Sequence, residues 1–252
     1  MVLRYTKAGF LVISPQDDCH ELVDAMLATG YNEEFCLAED FSPEFTARLM
    51  DAGFLVMSAD IAGKKEAEPY YISLPKLHLV RSVLFFDHLH IKKSVRRLLN
   101  KYELRPDVDF DRIVSRCVEK HGDDWLTPPL IESIKEIRQT KPTENAYPSS
   151  FALYRGGNLV AGEFGVICGN VYTSYSGFYE ERNAGTVQII LLAKYLEEHG
   201  FSFLDLGMPM NYKTALGAED ISPEAFVILF RSAFSDTYLQ KLDRNTSLFL
   251  PS

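Results

Sequence analysis

The sequence predicts an α/β fold of the α+β type: a mixed β-sheet flanked by helices, preceded by a smaller N-terminal α/β domain. Residues 150–179 hold three apolar runs separated by two glycine turns, which is the pattern of an antiparallel meander. An amphipathic helical pattern over 184–199 follows and ends at Gly200, and 203–206 is a short apolar run. Because strand, helix and strand in this order favour a parallel strand pair, we expect a mixed sheet.

We place a domain boundary near residue 70, which gives a small N-terminal domain over 1–70 and a larger domain over 71–252. The segment AGKKEAEP, residues 62–69, is charged and rich in small residues, as is typical of an exposed loop. Short strands and two helices are predicted before it, over residues 10–13, 19–28, 42–50 and 54–57. Ser42 followed by Pro43 is a typical helix start.

The middle of the chain combines an extended segment with helices. Residues 76–87 read as extended chain, and helices are predicted over 90–102, 110–119 and 130–138. The helix over 90–102 has a strongly basic face, made of Lys92, Lys93, Arg96, Arg97 and Lys101. Such a face is either a solvated helix surface or a nucleic-acid contact, and the charge pattern alone leaves both open.

Composition limits the possible classes of protein. Of the 252 residues, 46% are hydrophobic and 24% are charged, as in ordinary globular domains, and no apolar run reaches a membrane-spanning length. The N-terminus lacks the features of a signal peptide, so we expect a cytoplasmic protein that contacts no membrane. The net charge of -9 argues against extensive nucleic-acid binding outside a local basic patch. The four cysteines are scattered, which favours buried thiols and no metal site.

Known catalytic signatures are missing from the sequence: there is no nucleophile elbow, phosphate-binding loop or dinucleotide fingerprint. The remaining candidates are the strand–helix junction over 172–186 and the strand end at Asp205. Asp205 lies between Leu204 and Leu206, so it is either a buried structural carboxylate or an acid that orients an incoming amine. Trp125, the single tryptophan, is on these grounds a core residue.

An antiparallel meander that feeds a strand–helix unit is the order found in the N-acetyltransferase superfamily, so the expected sheet is N-acetyltransferase-like. One alternative function is therefore an acyl-coenzyme A-dependent N-acyltransferase. Arg182-Asn183-Ala184-Gly185 opens the long helix and partly matches the R-x-x-G-x-G/A turn that binds pyrophosphate, with Val187 in the last small-residue position.

The stretch from 149 to 218 resembles the C-terminal half of leucyl/phenylalanyl-tRNA–protein transferases, whose strands read HSVEVW, LVGGLYG, GESMFS and NASK, followed by IDCQ and SLGA. Here the text is SSFALYRGGNLVAGEFGVICGNVYTSYSGFYEERNAG and LDLGMPMNYKTALGA. Earlier, LHI with Ser94 and Arg97 resembles the family's LHISRSMKR, and DWLT from Asp124 resembles GTWIT. LAEDFSPEFTARLMDAGFLVMSA over 37–59 is a fainter match.

The resemblance implies transfer of an apolar aminoacyl group, of the leucyl or phenylalanyl type, from tRNA to the N-terminal amine of a protein that begins with Arg or Lys. The implied partners are an aminoacyl-tRNA and an acceptor N-terminus, and the implied cellular role is protein degradation by the N-end rule. Since the ester is already activated, we expect no cofactor. An α-amine has a pKa of about 7.7–8.0, so a useful fraction is neutral at physiological pH, and positioning can then supply most of the catalysis.

The departures from the family define the predicted catalytic residues. The family's glutamate in GESMFS falls on Tyr175 and the glutamine of IDCQ falls on Gly207, whereas the aspartate is kept as Asp205. Glu163, in the neighbouring strand, is the predicted substitute for the lost carboxylate. Asp205, Glu163 and Tyr175 are therefore the expected catalytic residues. The resemblance also implies substrate contacts at Trp125, Ser176, Phe178, Tyr179, Asn183 and Gly207.

Two further expectations follow from the resemblance. The five basic residues of the helix over 90–102 become predicted contacts for tRNA phosphates. Trp125 becomes a predicted wall of the aminoacyl or adenosine site, because aromatic rings provide stacking surfaces. The substitutions at Tyr175 and Gly207 leave a second alternative open, a binding protein that has kept the fold and lost the reaction.

Overall fold

A computed structural model describes residues 3–62 and 68–234. Its helices are α1 (Cys19–Thr29), α2 (Pro43–Asp51), α3 (Lys93–Arg96), α4 (Phe110–His121), α5 (Pro128–Thr140), α6 (Ala184–Glu198), α7 (Asn211–Thr214) and α8 (Pro223–Ser232), with short 3₁₀ turns at Phe86–His88 and Leu99–Lys101. Its strands are β1 (Arg4–Tyr5), β2 (Leu11–Val12), β3 (Leu55–Asp60), β4 (Tyr71–Lys76), β5 (Arg81–Leu84), β6 (Glu103–Pro106), β7 (Ala146–Arg155), β8 (Asn158–Cys168), β9 (Val171–Tyr179), β10 (Phe203–Asp205) and β11 (Glu219–Ile221).

A seven-stranded sheet in the order β11-β5-β10-β9-β8-β7-β6 organises the described chain. Neighbouring strands are antiparallel except β9 and β10, which are parallel and are joined by α6. The predicted meander, the predicted strand–helix–strand unit and the mixed sheet are therefore confirmed. Two small antiparallel pairs, β1 with β2 and β3 with β4, complete the architecture of the described residues.

The meander follows from its turns and from one proline. Gly156, Gly157 and Gly169 all have positive φ, which glycine adopts without a steric cost, so the strands reverse there. β7 begins at Ala146, earlier than predicted, and includes Pro148. Pro148 pairs with Val166 on β8 and lies beyond the end of β6, so no second strand requires its missing N–H.

The two faces of the sheet have different coverings. On the first face, α2, α4, α5 and α8 pack with the β3–β4 pair in one large apolar core. On the second face, α6 buries Val187, Ile190 and Leu196 against the meander, together with the segment around α3. α6 ends before Gly200, whose φ of +77° terminates the helix as expected.

The prediction of a single helix over 90–102 is wrong. α3 covers only Lys93–Arg96, and a 3₁₀ turn follows at Leu99–Lys101. The backbone N–H of His90 donates to the carbonyl of Leu216, so the start of the segment is tied to another loop. A continuous helix would also place like charges four residues apart three times, a spacing that destabilises helices. Those pairs are Lys92 with Arg96, Lys93 with Arg97, and Arg97 with Lys101.

Other predictions about the early chain have mixed outcomes. The helices near 19–28 and 42–50 are confirmed as α1 and α2, but the extended segment over 76–87 is interrupted, because a loop separates β4 from β5. The four cysteines are buried and free, as predicted. Most of the predicted loop over 62–69 lies outside the described residues. The division near residue 70 stays a prediction, and β3 and β4 pair on either side of it.

No helix among the described residues is long and apolar enough to cross a bilayer. The same residues contain no group of three or more His, Cys, Asp or Glu side chains arranged to hold a metal ion.

Candidate functional site

The sheet opens between the parallel strands β9 and β10. β10 pairs with β9 from Phe203 to Asp205 and then ends, whereas β9 continues to Tyr179 with β8 as its strand partner. After β10 the chain stays bonded to Ser82 of β5 through Leu206 and Gly207, has no partner on β9, and then forms α7. One edge of residues 174–179 therefore faces a gap at the carboxyl end of β10, and we call this gap the cleft. Ligands of open α/β sheets bind at such strand ends.

A β-bulge shapes the cleft at Tyr175. The register of β8 and β9 shifts so that Phe164 pairs with Ser176 and Gly165 pairs with Ser174, which leaves Tyr175 as the extra residue. Its ring lies 6.2 Å from the ring of Phe164 on the first face. Its hydroxyl accepts a hydrogen bond from the backbone N–H of Val56 at 3.2 Å, and burial raises its pKa. Tyr175 thus connects the cleft to β3.

Asp205 forms a buried ion pair with Arg81 on β5. Arg81 Nε donates to Asp205 Oδ1 at 2.9 Å and Nη2 donates to Oδ2 at 2.6 Å, and neither side chain is more than 1% exposed. The Thr173 hydroxyl and the Gly207 N–H each donate to the same carboxylate at 2.9 Å. Burial alone would raise the pKa of Asp205, but the Arg81 guanidinium and these hydrogen bonds hold it below its ordinary value.

This geometry favours the structural role over direct contact with substrate for Asp205. Both carboxylate oxygens already accept hydrogen bonds within the fold. Asp205 can therefore influence a bound amine by positioning the groups that donate to it, such as the Gly207 N–H. The sequence interpretation missed Arg81. The sequence does indicate its role: an arginine at the start of the strand Ser-Val-Leu predicts a buried acidic partner, just as Asp205 predicts a buried cation.

Glu163 lies on the second face of the sheet, away from Tyr175 and Asp205. It pairs with Gly177 across the strands, and Ser174 and Tyr172 lie beside its carboxyl group. It is 4% exposed, and its Oε1 has no hydrogen-bond partner in the described chain. Burial raises the pKa of Glu163 to about 7, against the hydrogen bonds and the charge of Lys213 that lower it. A carboxyl group in this state is poised to exchange a proton near neutral pH.

Lys213, on α7, holds the chain that leaves β10. Its ammonium donates to the carbonyl oxygens of Leu206 at 2.5 Å and Met208 at 2.7 Å, and the side chain is 6% exposed. Burial lowers the pKa of Lys213, while Asp205 and Glu163 act in the opposite direction. Since β10 has ended, these carbonyls lack strand partners on β9, and Lys213 satisfies them. The sequence interpretation did not single out this residue.

The predicted substrate-binding residues divide between the two faces. Ser176 lies beside the Cys117 thiol, and the Phe178 ring is buried under the Arg116 guanidinium at 5.2 Å, both towards α4 on the first face. Tyr179 is 53% exposed and lies against Gly185 at the start of α6, on the second face. Asn183, exposed with φ +69°, precedes that helix.

Trp125 borders the first face near β3. It packs partly buried against the large core, and its carbonyl accepts hydrogen bonds from Ser58 through the backbone N–H at 2.9 Å and the hydroxyl at 3.0 Å. Ser58 is two residues from Val56, which bonds to Tyr175, so Trp125 lies on the same side of the sheet as Tyr175. Its predicted contact with the aminoacyl group or a base stays a prediction.

The five basic residues lie on the second face, next to the cleft, and we call them the basic segment. All are exposed, and within the described chain none of them makes an ion pair. The segment is anchored by Val95 and Leu99 in the core of that face. His90 bonds to Leu216, and a Cβ at Gly217 would lie 1.9 Å from the carbonyl oxygen of His88, so the segment is in close contact with the loop after α7.

Comparison with known proteins identifies relatives of this architecture. The family model for leucyl/phenylalanyl-tRNA protein transferase matches residues 83–231. Curated proteins named leucyl/phenylalanyl-tRNA–protein transferase from Maridesulfovibrio salexigens, Flavobacterium johnsoniae and Pseudomonas putida are each 29% identical to the chain. The alignments cover 64%, 60% and 66% of this chain and 68%, 72% and 70% of those proteins, respectively.

Solved structures are more distant. The crystal structure of FemX is 11% identical with a TM-score of 0.46 and covers 87% of this chain and 81% of that one. A GCN5-related N-acetyltransferase from Kribbella flavida is 13% identical with a TM-score of 0.35 and covers 82% of this chain and 73% of that one. Both TM-scores are below 0.5, so neither structure carries an argument about this chain. On its family match over more than half of its length, the chain belongs to the leucyl/phenylalanyl-tRNA protein transferase family.

Proposed function

We propose that this protein transfers an apolar aminoacyl group of the leucyl or phenylalanyl type from tRNA to the N-terminal amine of an acceptor protein. The observation that carries the proposal is the family match over 83–231, which includes both walls of the cleft and the basic segment. The acyl-coenzyme A alternative is not favoured by the named relatives. A cytoplasmic location and a role in protein degradation by the N-end rule belong to the same proposal.

Exposed apolar side chains at one end of the sheet support binding of an apolar aminoacyl group. Leu79 and Val80 precede β5, and Met208, Met210 and Tyr212 follow β10, at the same end of this antiparallel strand pair. Their side chains are between 41% and 54% exposed. Exposed apolar patches next to a cleft are typical of ligand-binding surfaces. This surface therefore suits a leucyl or phenylalanyl side chain.

The basic segment supports binding of the tRNA beside this surface. Its cations are free to contact phosphates, and its close contact with the loop after α7 places it beside the same walls of the cleft. A chain of net charge -9 needs such a local patch to bind a polyanion.

The reaction itself requires little chemical assistance. The acceptor amine attacks the ester carbonyl carbon, a C–N bond forms, and the C–O bond to the terminal ribose breaks. The amine loses one proton in the process, and the departing ribose oxygen gains one. Because the ester is already activated, the protein must mainly align a neutral amine with the carbonyl. Glu163, which titrates near neutral pH, is the proposed carboxylate for the cationic side chain of the acceptor's first residue and not for its amine. It lies buried on the second face, so this role rests on the sequence departures at Tyr175 and Gly207.

Replacing Arg96 and Arg97 by glutamine should weaken tRNA binding and reduce its dependence on salt. Each lost phosphate contact lowers the slope of log affinity against log salt by roughly 0.7–0.9. Filter binding of leucyl-tRNA between low and moderate salt measures the slope. Arg4→Gln and Arg105→Gln, which remove exposed arginines elsewhere, form the matched control. An unchanged slope in the Arg96, Arg97 variant would show that the basic segment is only a solvated surface.

A comparison of donors tests the proposed function directly. The purified protein is incubated with labelled leucyl-tRNA, phenylalanyl-tRNA or acetyl-coenzyme A, together with peptides that begin with Lys, Arg or Glu. We expect label from either aminoacyl-tRNA in peptides that begin with Lys or Arg. Label from the thioester alone would select the acyltransferase alternative, and tRNA binding without product would select a binding protein.

A further inference from the structure

His78 is a buried imidazole beside the cleft. It lies in the loop between β4 and β5 and is 5% exposed. Within the described chain neither ring nitrogen makes a hydrogen bond, and the nearest acid is Glu34, 3.9 Å from Nδ1. The Glu34 carboxylate is itself bonded to Lys76 at 2.7 Å. Neither ring nitrogen is among the fully enclosed polar atoms of the described chain that lack a partner, so the ring nitrogens stay accessible to a ligand.

The other ring nitrogen faces Gly207. A Cβ built on Gly207 would lie 3.8 Å from His78 Nε2 and 3.5 Å from Leu55 Cδ1. Gly207 has φ +70° and no side chain, and because these are ordinary contact distances, the gap between its backbone and the imidazole is about the size of one methyl or amino group. The same glycine donates its N–H to Asp205 at the end of β10. The Nε2 atom of His78 therefore faces a space where the sheet opens.

The charges around His78 keep it neutral. Burial lowers its pKa to about 3, and the nearby cations Arg81, Lys76 and Lys213 act in the same direction, against Asp205. A neutral imidazole has one N–H and one lone pair. The Glu34 carboxylate on the Nδ1 side favours the proton on Nδ1, which leaves the lone pair on Nε2, facing Gly207.

We infer that His78 Nε2 accepts a hydrogen bond from the N-terminal amine of the acceptor in the space beside Gly207. This inference rests on the proposed function, which supplies the amine. A neutral amine has N–H donors for the imidazole and keeps its own lone pair for the ester carbonyl. The surrounding cations disfavour an ammonium group, so they favour the nucleophilic form. His78 is too weak a base to retain the proton, and it therefore orients the amine without removing that proton.

Two substitutions separate hydrogen bonding from packing. His78→Gln keeps an acceptor oxygen near the position of Nε2, whereas His78→Phe keeps the ring and removes the acceptor. We expect His78→Phe to lower kcat/KM for a Lys-initiated peptide about tenfold, the loss of one hydrogen bond, while leucyl-tRNA affinity stays unchanged. His78→Gln should retain most of the activity. His20→Gln, which changes an exposed histidine on α1, is the matched control.

Wild-type activity of His78→Phe would overturn the inference, and so would equal losses in both variants at unchanged melting temperature. A nitrogen NMR measurement on the wild-type protein is independent of variant folding and of catalysis. The His78 Nε2 resonance should shift on addition of a free-amine peptide and stay unchanged with its N-acetylated form. If the wild type transfers nothing but the resonance shifts selectively, the proposed function fails and the amine site stands. If transfer occurs without any such shift, the assignment of His78 fails alone.

Discussion

Arg81→Met is expected to lower the free energy of unfolding by about 3–5 kcal/mol, because it leaves the carboxylate of Asp205 buried without its cation. The pair is almost fully enclosed, and Asp205 holds both Thr173 and Gly207 at the end of β10. Loss of Arg81 should therefore loosen the wall of the cleft and abolish transfer even under conditions where the protein stays folded. Urea unfolding followed by circular dichroism measures the stability.

Arg155→Met provides the matched control, since Arg155 and Glu181 form an exposed ion pair at 2.6 Å. Exposed pairs contribute roughly 0–1 kcal/mol. Equal small losses for both variants would contradict the structural role of Arg81 and Asp205.

The pKa of Asp205 lies below its ordinary value of 3.8. The stability from its ionised form is therefore complete above that value and is lost as the pH falls through the lower, folded-state pKa.

Glu163→Gln is expected to abolish transfer to peptides that begin with Lys or Arg, because it removes the proposed carboxylate that faces a basic N-terminus. In the wild type, transfer to such peptides should rise as the pH increases through about 7, where Glu163 ionises. Initial rates from pH 5.5 to 8.5 at saturating leucyl-tRNA measure this. Glu103→Gln, on the exposed edge strand β6, is the matched control. Unchanged transfer by Glu163→Gln would exclude the proposed role.

The same substitution should stabilise the protein at alkaline pH. The folded-state pKa of Glu163, about 7, lies above the ordinary value of 4.5, so its contribution to stability is complete below 4.5 and is lost as the pH rises to 7. Glutamine does not ionise. Glu163→Gln should therefore gain up to about 3 kcal/mol over the wild type at pH 8 and nothing from this source at pH 4. An equal difference at both values would show that Glu163 is not held protonated in the fold.

Local patterns predicted the meander and α6 well. The strands β7, β8 and β9 are marked by glycine turns, and α6 has a long apolar face and a glycine after its end, so each is specified by neighbouring residues. The prediction of a helix over 90–102 was wrong because the local pattern does not decide the structure there. Its apolar spacing is helical, but repulsion within the basic segment and the bond from His90 to Leu216 oppose a continuous helix.

The candidate site was less predictable because its contacts are distant in sequence. Arg81 and Asp205 are 124 positions apart, and no local pattern joins them. The bulge at Tyr175 interrupts the alternation of faces along β9. Strand periodicity alone therefore could not show that Glu163 and Tyr175 lie on opposite faces of the sheet. His78 and Lys213 were missed for a related reason: the ends of β4 and β10 bring them to the cleft only in the folded chain.

Amide-bond formation by this altered cleft can be measured in a single reaction. Purified protein is supplied with leucyl-tRNA labelled in the leucyl group, a peptide that begins with Lys, and, in parallel, the same peptide with an acetylated N-terminus. Mass spectrometry and the label should both show one leucine added to the free N-terminus and none to the acetylated peptide. Leucyl-tRNA that binds and stays intact, with no leucine on either peptide, would show that the protein does not carry out the proposed transfer.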